Sequence, residues 1–513
     1  MTRWHLLLPL LGLVPAVAVA CSGGKSSSAP PGEEAGPGDD SGGSSSGGNP
    51  DCTGGDGFCY TPASCKYSYS PPSTLGYTNE SLDTPVAGDM TMSAPQRVRL
   101  GLGGSTTFGQ PGYPDPTTSA AFTWETADTD TNAQVKIGTS ASALSQVATG
   151  YVWTAPKGLG SSTTNFHEVH VCGLTPDTVY YYQVGGGTTG AQVWSPTQSF
   201  STMPASGNIT VGLFGDARDT VGTWQAVHVR MKTAGILMSL IPGDVVDIGS
   251  DEDLYKQWLD DIWQYPTGSS TFLTLGQQYI LPINGNHEND APASFANWAI
   301  PGNGAYAETY ASFTVGSVHF IMIDDEQIAE APSTPQAAAQ LAWIGQDLAA
   351  ANADRSNHPF IVALSHRGIF STSLHATDSD VLAARAALAP LYDQYNVDLA
   401  INGHDHEYER TSPITSGTTP SGPPTYPAPT GKGTTYVICA GAGADPYSVG
   451  TTPVSYRATK TAFGGTSGYI GLYTTLQIAP TQLTLTAYGM VASGASIQDD
   501  MIIDGPLVLT ARQ

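Results

Sequence analysis

Five apolar runs in this 513-residue chain each end in a small-residue turn that delivers a ligand-type side chain. ITVGLFGDARD delivers Asp216, GILMSLIPGDVVD delivers Asp244 and Asp247, and QYILPINGNHE delivers Asn286 and His287. HPFIVALSHRG delivers His366, and VDLAINGHDHEYER delivers His404 and His406. Short apolar runs that close on Gly or Ser read as buried strands. Between them, SDEDLYKQWLDDIWQ and TPQAAAQLAWIGQDLAAANADR carry helical periodicity, and the alternation predicts an α/β layered domain over residues 205–513. TTYVICAGA, GYIGLYTTLQIA and QLTLTAYGM are expected to finish its sheets. Ligands gather at the carboxyl ends of strands in such domains, so five ends can converge on one pocket. Gly ahead of Asp216, Asp244, Asn286 and His404 permits a tight turn and close backbone approach.

Taken singly these signals are weak, because a GD dipeptide is common and a lone His is more often a satisfied core or surface residue. GHDH after a strand is stronger. Alternate residues of an extended segment share a face, so His404 and His406 point one way and Asp405 the other. Carboxylate, amide oxygen and imidazole together suit hard or borderline metal ions; iron, zinc and manganese are all compatible. Two ions bridged by one carboxylate stabilise both the attacking and the leaving oxygen of a phosphoryl displacement.

Ahead of this domain, residues 92–204 carry short alternating strands separated by turn residues: RVRLGLG, AAFTWET, AQVKIGT, HEVHVCGL, TVYYYQVGG and TQSFST. That spacing predicts an all-β sandwich with Trp124 in its core. Leu174, Pro176, Thr178 and Tyr180 resemble the tyrosine-corner region of fibronectin type III domains.

The ordered set GD, GD, GNHE, SHRG and GHDHEYER resembles the calcineurin-like metallophosphoesterases, and among them the purple acid phosphatases with their fibronectin-like N-terminal domain. SFTVGSVHFIMIDDE and YNVDLAINGHDHEYERTSPI are similar to that family between the motifs. The resemblance runs from about Met92 to the C-terminus and implies a multidomain chain, the sandwich followed by a four-layer α-β-β-α catalytic domain. It implies a dinuclear metal centre in which Asp244 bridges, Asn286, His366 and His404 complete the second site, and Asp216 and His406 hold the first. His287 would contact phosphate and protonate the leaving group, with His375 nearby on the substrate side. The activity implied is hydrolysis of a small phosphate ester by a metal-bound hydroxide, on a monoester or, in the same chemistry, a diester or nucleotide. Loops 288–312 and 368–380 carry no readable substrate code.

The chain departs from the family twice. Asp247 stands where purple acid phosphatases place the tyrosine that binds ferric iron, and Arg218 stands where other members place a histidine. Asp247 either orients His287 and keeps it protonated or ligates the first metal. Arg218 is either a phosphate clamp or the partner of a local acid such as Asp219. A non-catalytic surface binding protein on a degraded site is the rival expectation.

The remaining segments bear on location. Arg3 and His5 precede LLLPLLGLVPAVAVA, a signal-like run over residues 1–20 that ends at Cys21. VAVAC resembles a bacterial lipobox with Ala18 in place of the usual Leu, implying a lipidated Cys21; plain secretion is the alternative. Residues 21–50 form a stalk, with 8 Ser, 9 Gly and 4 Pro among the 29 residues after the cysteine. Residues 51–91 hold Cys52, Cys59 and Cys65, expected to form a local disulfide knot in an oxidising compartment, while Cys439 is expected as a buried thiol. A formal charge of -25 opposes nucleic-acid binding, and membrane contact is expected only through the lipid anchor.

Overall fold

The apolar runs that end in ligand-type residues are short parallel strands, buried on both faces as parallel sheets require. In this computed structural model, residues 59–68, 94–127, 132–154, 164–187, 191–219, 221–263, 275–304, 308–447, 452–491 and 500–512 are described. The expected signal segment, Cys21, the stalk and Cys52 lie outside the described residues.

The five strands are divided between two sheets. Ile209–Leu213, Met238–Ile241 and Tyr279–Pro282 lie side by side and parallel in a ten-stranded sheet. Phe360–Leu364, Leu399–Asn402 and Thr435–Cys439 form a parallel trio in a seven-stranded sheet. The sheets stack through a core that includes Leu213, Leu240, Leu281, Phe320, Val362 and Ile401. Alternation along the seven-stranded sheet puts Ile321, Ile361, Ala363 and Ala400 on its other face, where they meet Ile344, Leu348, Leu388 and Tyr392 of helices Pro335–Ala353 and Ser379–Tyr395. Helices Val221–Thr233 and Glu252–Trp263 cover the outside of the ten-stranded sheet, with Trp224 and Trp258 stacked at 3.8 Å between ring centres. The order is helix, sheet, sheet, helix.

The N-terminal β-rich region is present, and it is joined to the stacked sheets by more than a linker. Gln96–Gly101 pairs in parallel with Tyr279–Pro282, so Gln96–Gly101, Ser119–Ala127, Thr164–Cys172 and Tyr151–Thr154 prolong the ten-stranded sheet. Facing them is a five-stranded sheet of Gln146–Thr149, Gln134–Gly138, Val179–Gly186, Val193–Trp194 and Gln198–Ser201. Trp124 is fully buried there, and the Tyr180 hydroxyl accepts the Thr175 N–H at 2.9 Å, the corner expected from the sequence.

The cysteines depart from the expected local knot. Cys65 pairs with Cys172, 107 residues away, and stitches segment 59–68 to a sandwich strand. Cys59 is also disulfide-bonded, and Cys439 is free and buried. Tyr60 and Tyr67 of this strap pack with Tyr151, Phe166 and Phe295, and the Tyr67 hydroxyl lies 2.6 Å from His170 Nδ1. Apolar anchoring decides the partner: the strap buries its tyrosines against the sandwich and Phe295, which brings Cys65 to Cys172. Among the described residues no helix is long and apolar enough to cross a membrane.

Candidate metal centre

Asp216, Asp244 and His404 follow their strands in left-handed backbone, with φ of 57°, 55° and 71°. Side chains seldom adopt this conformation, and it bends each chain sharply inward. The preceding glycines make room. A Cβ on Gly243, itself at φ 85°, would lie 2.4 Å from His366 Nδ1. One on Gly403 would lie 2.5 Å from the Pro242 carbonyl oxygen and 2.6 Å from Asp216 Oδ2.

The strand ends converge although they belong to two sheets. Asn286 Oδ1 lies 3.0 Å from His366 Nε2 and 2.9 Å from His404 Nδ1, and those two nitrogens are 3.3 Å apart. His366 Nε2 is also 3.3 Å from Asp244 Oδ1. On the other side of Asp244, His406 Nε2 lies 3.5 Å from Asp216 Oδ1, and the His404 N–H donates to the Asp216 carboxylate at 3.1 Å. Asp216, Asp244 and His366 offer three ligand atoms within 4.8 Å of one another, all buried.

The protons of two of these imidazoles, His366 and His406, are assignable from their far sides. His366 Nδ1–H donates to the Pro242 carbonyl at 2.8 Å, and His406 Nδ1–H donates to the Asp445 carbonyl at 2.5 Å. Each Nε2 of the neutral ring therefore carries a lone pair turned towards carboxylate or amide oxygen. Burial holds His366 and His404 well below the ordinary histidine range, which keeps both rings neutral. Burial, with Asp216 and Glu288 close by, pushes the Asp244 carboxyl well up. Carboxylate, amide oxygen and imidazole nitrogen crowded round one buried point are a donor set that fits a cation.

The other predicted residues border this cluster. His287 is partly exposed, its Nδ1–H donates to the Asp247 carbonyl at 2.8 Å, and its Nε2 lies 3.8 Å from Asp244 Oδ2. The Asp247 carboxylate is 3.3 Å from His287 Nδ1 and 2.9 Å from Arg218 Nη1, outside the ligand cluster. Arg218 Nη1 also binds Asp219 at 2.8 Å, while Nε lies 3.6 Å from Asp244 Oδ2, buried and without a hydrogen bond. Arg218 thus has its local acid and also reaches the site. His375 sits with its ring 4.5 Å from that of His404 and its Nδ1 2.8 Å from Asp378 Oδ2.

Three residues that the sequence reading did not single out shape the centre. Glu288 accepts the backbone N–H groups of Asp244, Val245, Val246 and Gly285 at 2.8–3.1 Å, tying two of the ligand-bearing turns together. Asp325 does the same for the third, accepting the N–H of His366 at 3.0 Å and of Arg367 at 2.8 Å. Tyr447 stacks on His406 at 4.0 Å between ring centres. The E of GNHE was a visible signal for the first; nothing local marks the other two. Tyr408 and Arg410 bind Asp504, and Glu407 and Glu409 bind Lys460, so the residues after GHDH brace the turn.

Two family descriptions match the chain: the purple acid phosphatase N-terminal domain over residues 110–202 and the calcineurin-like phosphoesterase over residues 212–408. Purple acid phosphatase 15 of Arabidopsis thaliana is 29% identical over 321 residues, covering 56% of this chain and 58% of that protein. An uncharacterised protein of Mycobacterium tuberculosis is 27% identical over 328 residues, covering 58% of this chain and 60% of that one. The chain therefore spans somewhat under two thirds of the length of these relatives. The fold is that of the purple acid phosphatase PPD1 from yellow lupin seeds, with a TM-score of 0.62 at 17% identity over 80% of this chain and 74% of that one.

Proposed function

We propose, from the premise that this chain belongs to the calcineurin-like metallophosphoesterases with a purple acid phosphatase N-terminal domain, that it hydrolyses small phosphate esters, monoesters first. The observation that carries this reading is the convergence of Asp244, Asn286, His366 and His404 on one buried point, continued by Asp216 and His406. Asp244 would bridge two ions, with Asn286, His366 and His404 on one side and Asp216 and His406 on the other. Ions held there supply positive charge to the phosphoryl oxygens and lower the pKa of a coordinated water.

The chain's own groups do the rest. His287 has Nδ1 committed to the Asp247 carbonyl, so Nε2, on the open side, hands the proton to the leaving alcohol. Asp247 fixes the ring and holds Arg218, which favours the orienting role over metal ligation. Arg218 keeps Nε unpaired beside Asp244, where an arriving phosphoryl oxygen gives it a partner. His375 borders the same opening. Location belongs to the same proposal: an exported protein tethered through a lipidated Cys21, supported by the signal-like run, the stalk and the Cys65–Cys172 disulfide.

The test is hydrolysis of a chromogenic phosphate monoester and its diester analogue by the metal-supplemented protein, beside His404→Ala. Turnover on the monoester that vanishes in the variant, with thermal unfolding intact, is the expected outcome. A higher rate on the diester reassigns the substrate class. No turnover across several metals and pH values overturns the enzyme in favour of the binding protein.

A further inference from the structure

The loop after strand Thr435–Cys439 is laid directly against the first ligand turn. Gly215 bridges Ala440, the Ala444 N–H donates to the Asp216 carbonyl at 2.9 Å, and a Cβ on Gly443 would lie 2.5 Å from the Arg218 carbonyl oxygen. Tyr447 of this loop is half-buried beside the ligand cluster. Its ring lies nearly parallel to that of His406, 21° between planes at 4.0 Å. The backbones are tied as well, because the Asp445 carbonyl receives the His406 Nδ1–H.

The far end of the same side chain reaches a different group. The Tyr447 hydroxyl lies 3.2 Å from His375 Nε2. Nδ1–H of that imidazole donates to Asp378 Oδ2 at 2.8 Å, so Nε2 of the neutral ring accepts from the phenol. The His375 backbone is fixed too, its N–H donating to Asp405 Oδ1 at 3.2 Å. Asp378, His375 and Tyr447 form a chain of hydrogen bonds that ends on the stacked face of His406. One residue thereby spans from a ligand of the first site, past His404, to the histidine on the substrate side.

We propose that Tyr447 is a positioning residue for phosphate binding, holding the His375 imidazole at the open face of the centre through its hydroxyl while its ring steadies His406. This rests on the phosphoesterase reading above. A phenol without its hydroxyl leaves the stack intact and frees the His375 ring to rotate about its remaining bond to Asp378. The two functions of the side chain are therefore separable by substitution: Tyr447→Phe removes only the hydrogen bond, and Tyr447→Leu removes the stack as well.

The experiment compares wild type, Tyr447→Phe, Tyr447→Leu, His375→Ala and the Tyr447→Phe/His375→Ala double variant. It reads kcat and KM on a chromogenic monoester, binding of inorganic phosphate by calorimetry, and metal content. Tyr447→Phe is expected to weaken phosphate binding and raise KM by about tenfold, the effect of losing one hydrogen bond near a charged group, with metal content unchanged. Tyr447→Leu is expected to lower metal content too. In the double variant the Tyr447→Phe effect is expected to disappear, because its target is gone. Unchanged phosphate binding and KM in Tyr447→Phe, or effects that simply add in the double variant, overturn the proposal. Absence of both turnover and phosphate binding in the wild type sinks the phosphoesterase reading itself, and this inference with it.

Discussion

Glu288 holds Asp244 in place: its Oε2 accepts the Asp244 N–H at 2.9 Å and its Oε1 accepts those of Val245 and Val246. The same carboxylate receives the Gly285 N–H at 2.9 Å, so one buried side chain sets the spacing between the GD and GNHE turns. Asp244 stays at a left-handed φ because four hydrogen bonds leave its turn no alternative. Glu288→Ala strands those donors, and a loss of about 2–4 kcal/mol in unfolding free energy is expected, together with reduced metal content. Chemical denaturation and metal analysis check both. An unchanged stability shows that the turn stands without its staple.

The iron-loaded protein is expected to lack a visible tyrosinate-to-iron band. Asp247 occupies the position of the usual phenol, and its carboxylate engages Arg218 and His287 instead. Tyr447, the phenol stacked on His406, has its hydroxyl turned to His375. An absorption spectrum of the iron-reconstituted protein decides this, and a band that disappears in Tyr447→Phe would make Tyr447 a ligand.

Acid is expected to destabilise the fold through His228. Both ring nitrogens are buried without a hydrogen bond, and burial, with Lys232 nearby, pulls the group down to about 3. Its folded value lies below its unfolded one, so the unfolded chain takes up the proton first. Stability is therefore lost as pH falls below about 6.5 and levels off near 3, a cost of about 2 kcal/mol by pH 5. His228→Leu removes this dependence, so the stability difference between variant and wild type should move by about 2 kcal/mol towards the variant between about pH 7 and pH 5. A difference that stays constant with pH means the imidazole is hydrated in the native state.

Reduction is expected to loosen the N-terminal strap. The Cys65–Cys172 bridge closes a segment of 107 residues, and such cross-links contribute about 2–5 kcal/mol. Cys65→Ser should lower the unfolding midpoint while leaving KM on the monoester unaltered, since the strap packs on the sandwich and Phe295, away from the ligand turns. A change in KM would place the strap in the substrate path.

Much of the centre was legible because local physics writes it locally. A buried parallel strand needs a continuous apolar run, a sharp turn after it needs glycine, and a ligand must be Asp, Asn or His. All three marks stand together at Asp216, Asp244, Asn286 and His404, while at His366 the turn has Ser365 before it and Gly368 after it. Helix Pro335–Ala353 was equally visible, with its Thr334 cap accepting the Ala337 N–H. Glu288 was half visible inside GNHE, whereas Asp325 and Tyr447 carried no sign, since their partners lie 41 to 72 residues away in the chain.

The sequence by itself determined the strand ends, their ligand-type residues and the β-rich region ahead of them, because each is a matter of neighbours along the chain. Only the tertiary structure decided that these ends come from two stacked sheets, that Cys65 pairs with Cys172, and that Arg218 is shared between Asp219 and Asp247. Those outcomes depend on which distant surfaces bury each other, and burial between remote segments has no period in the sequence.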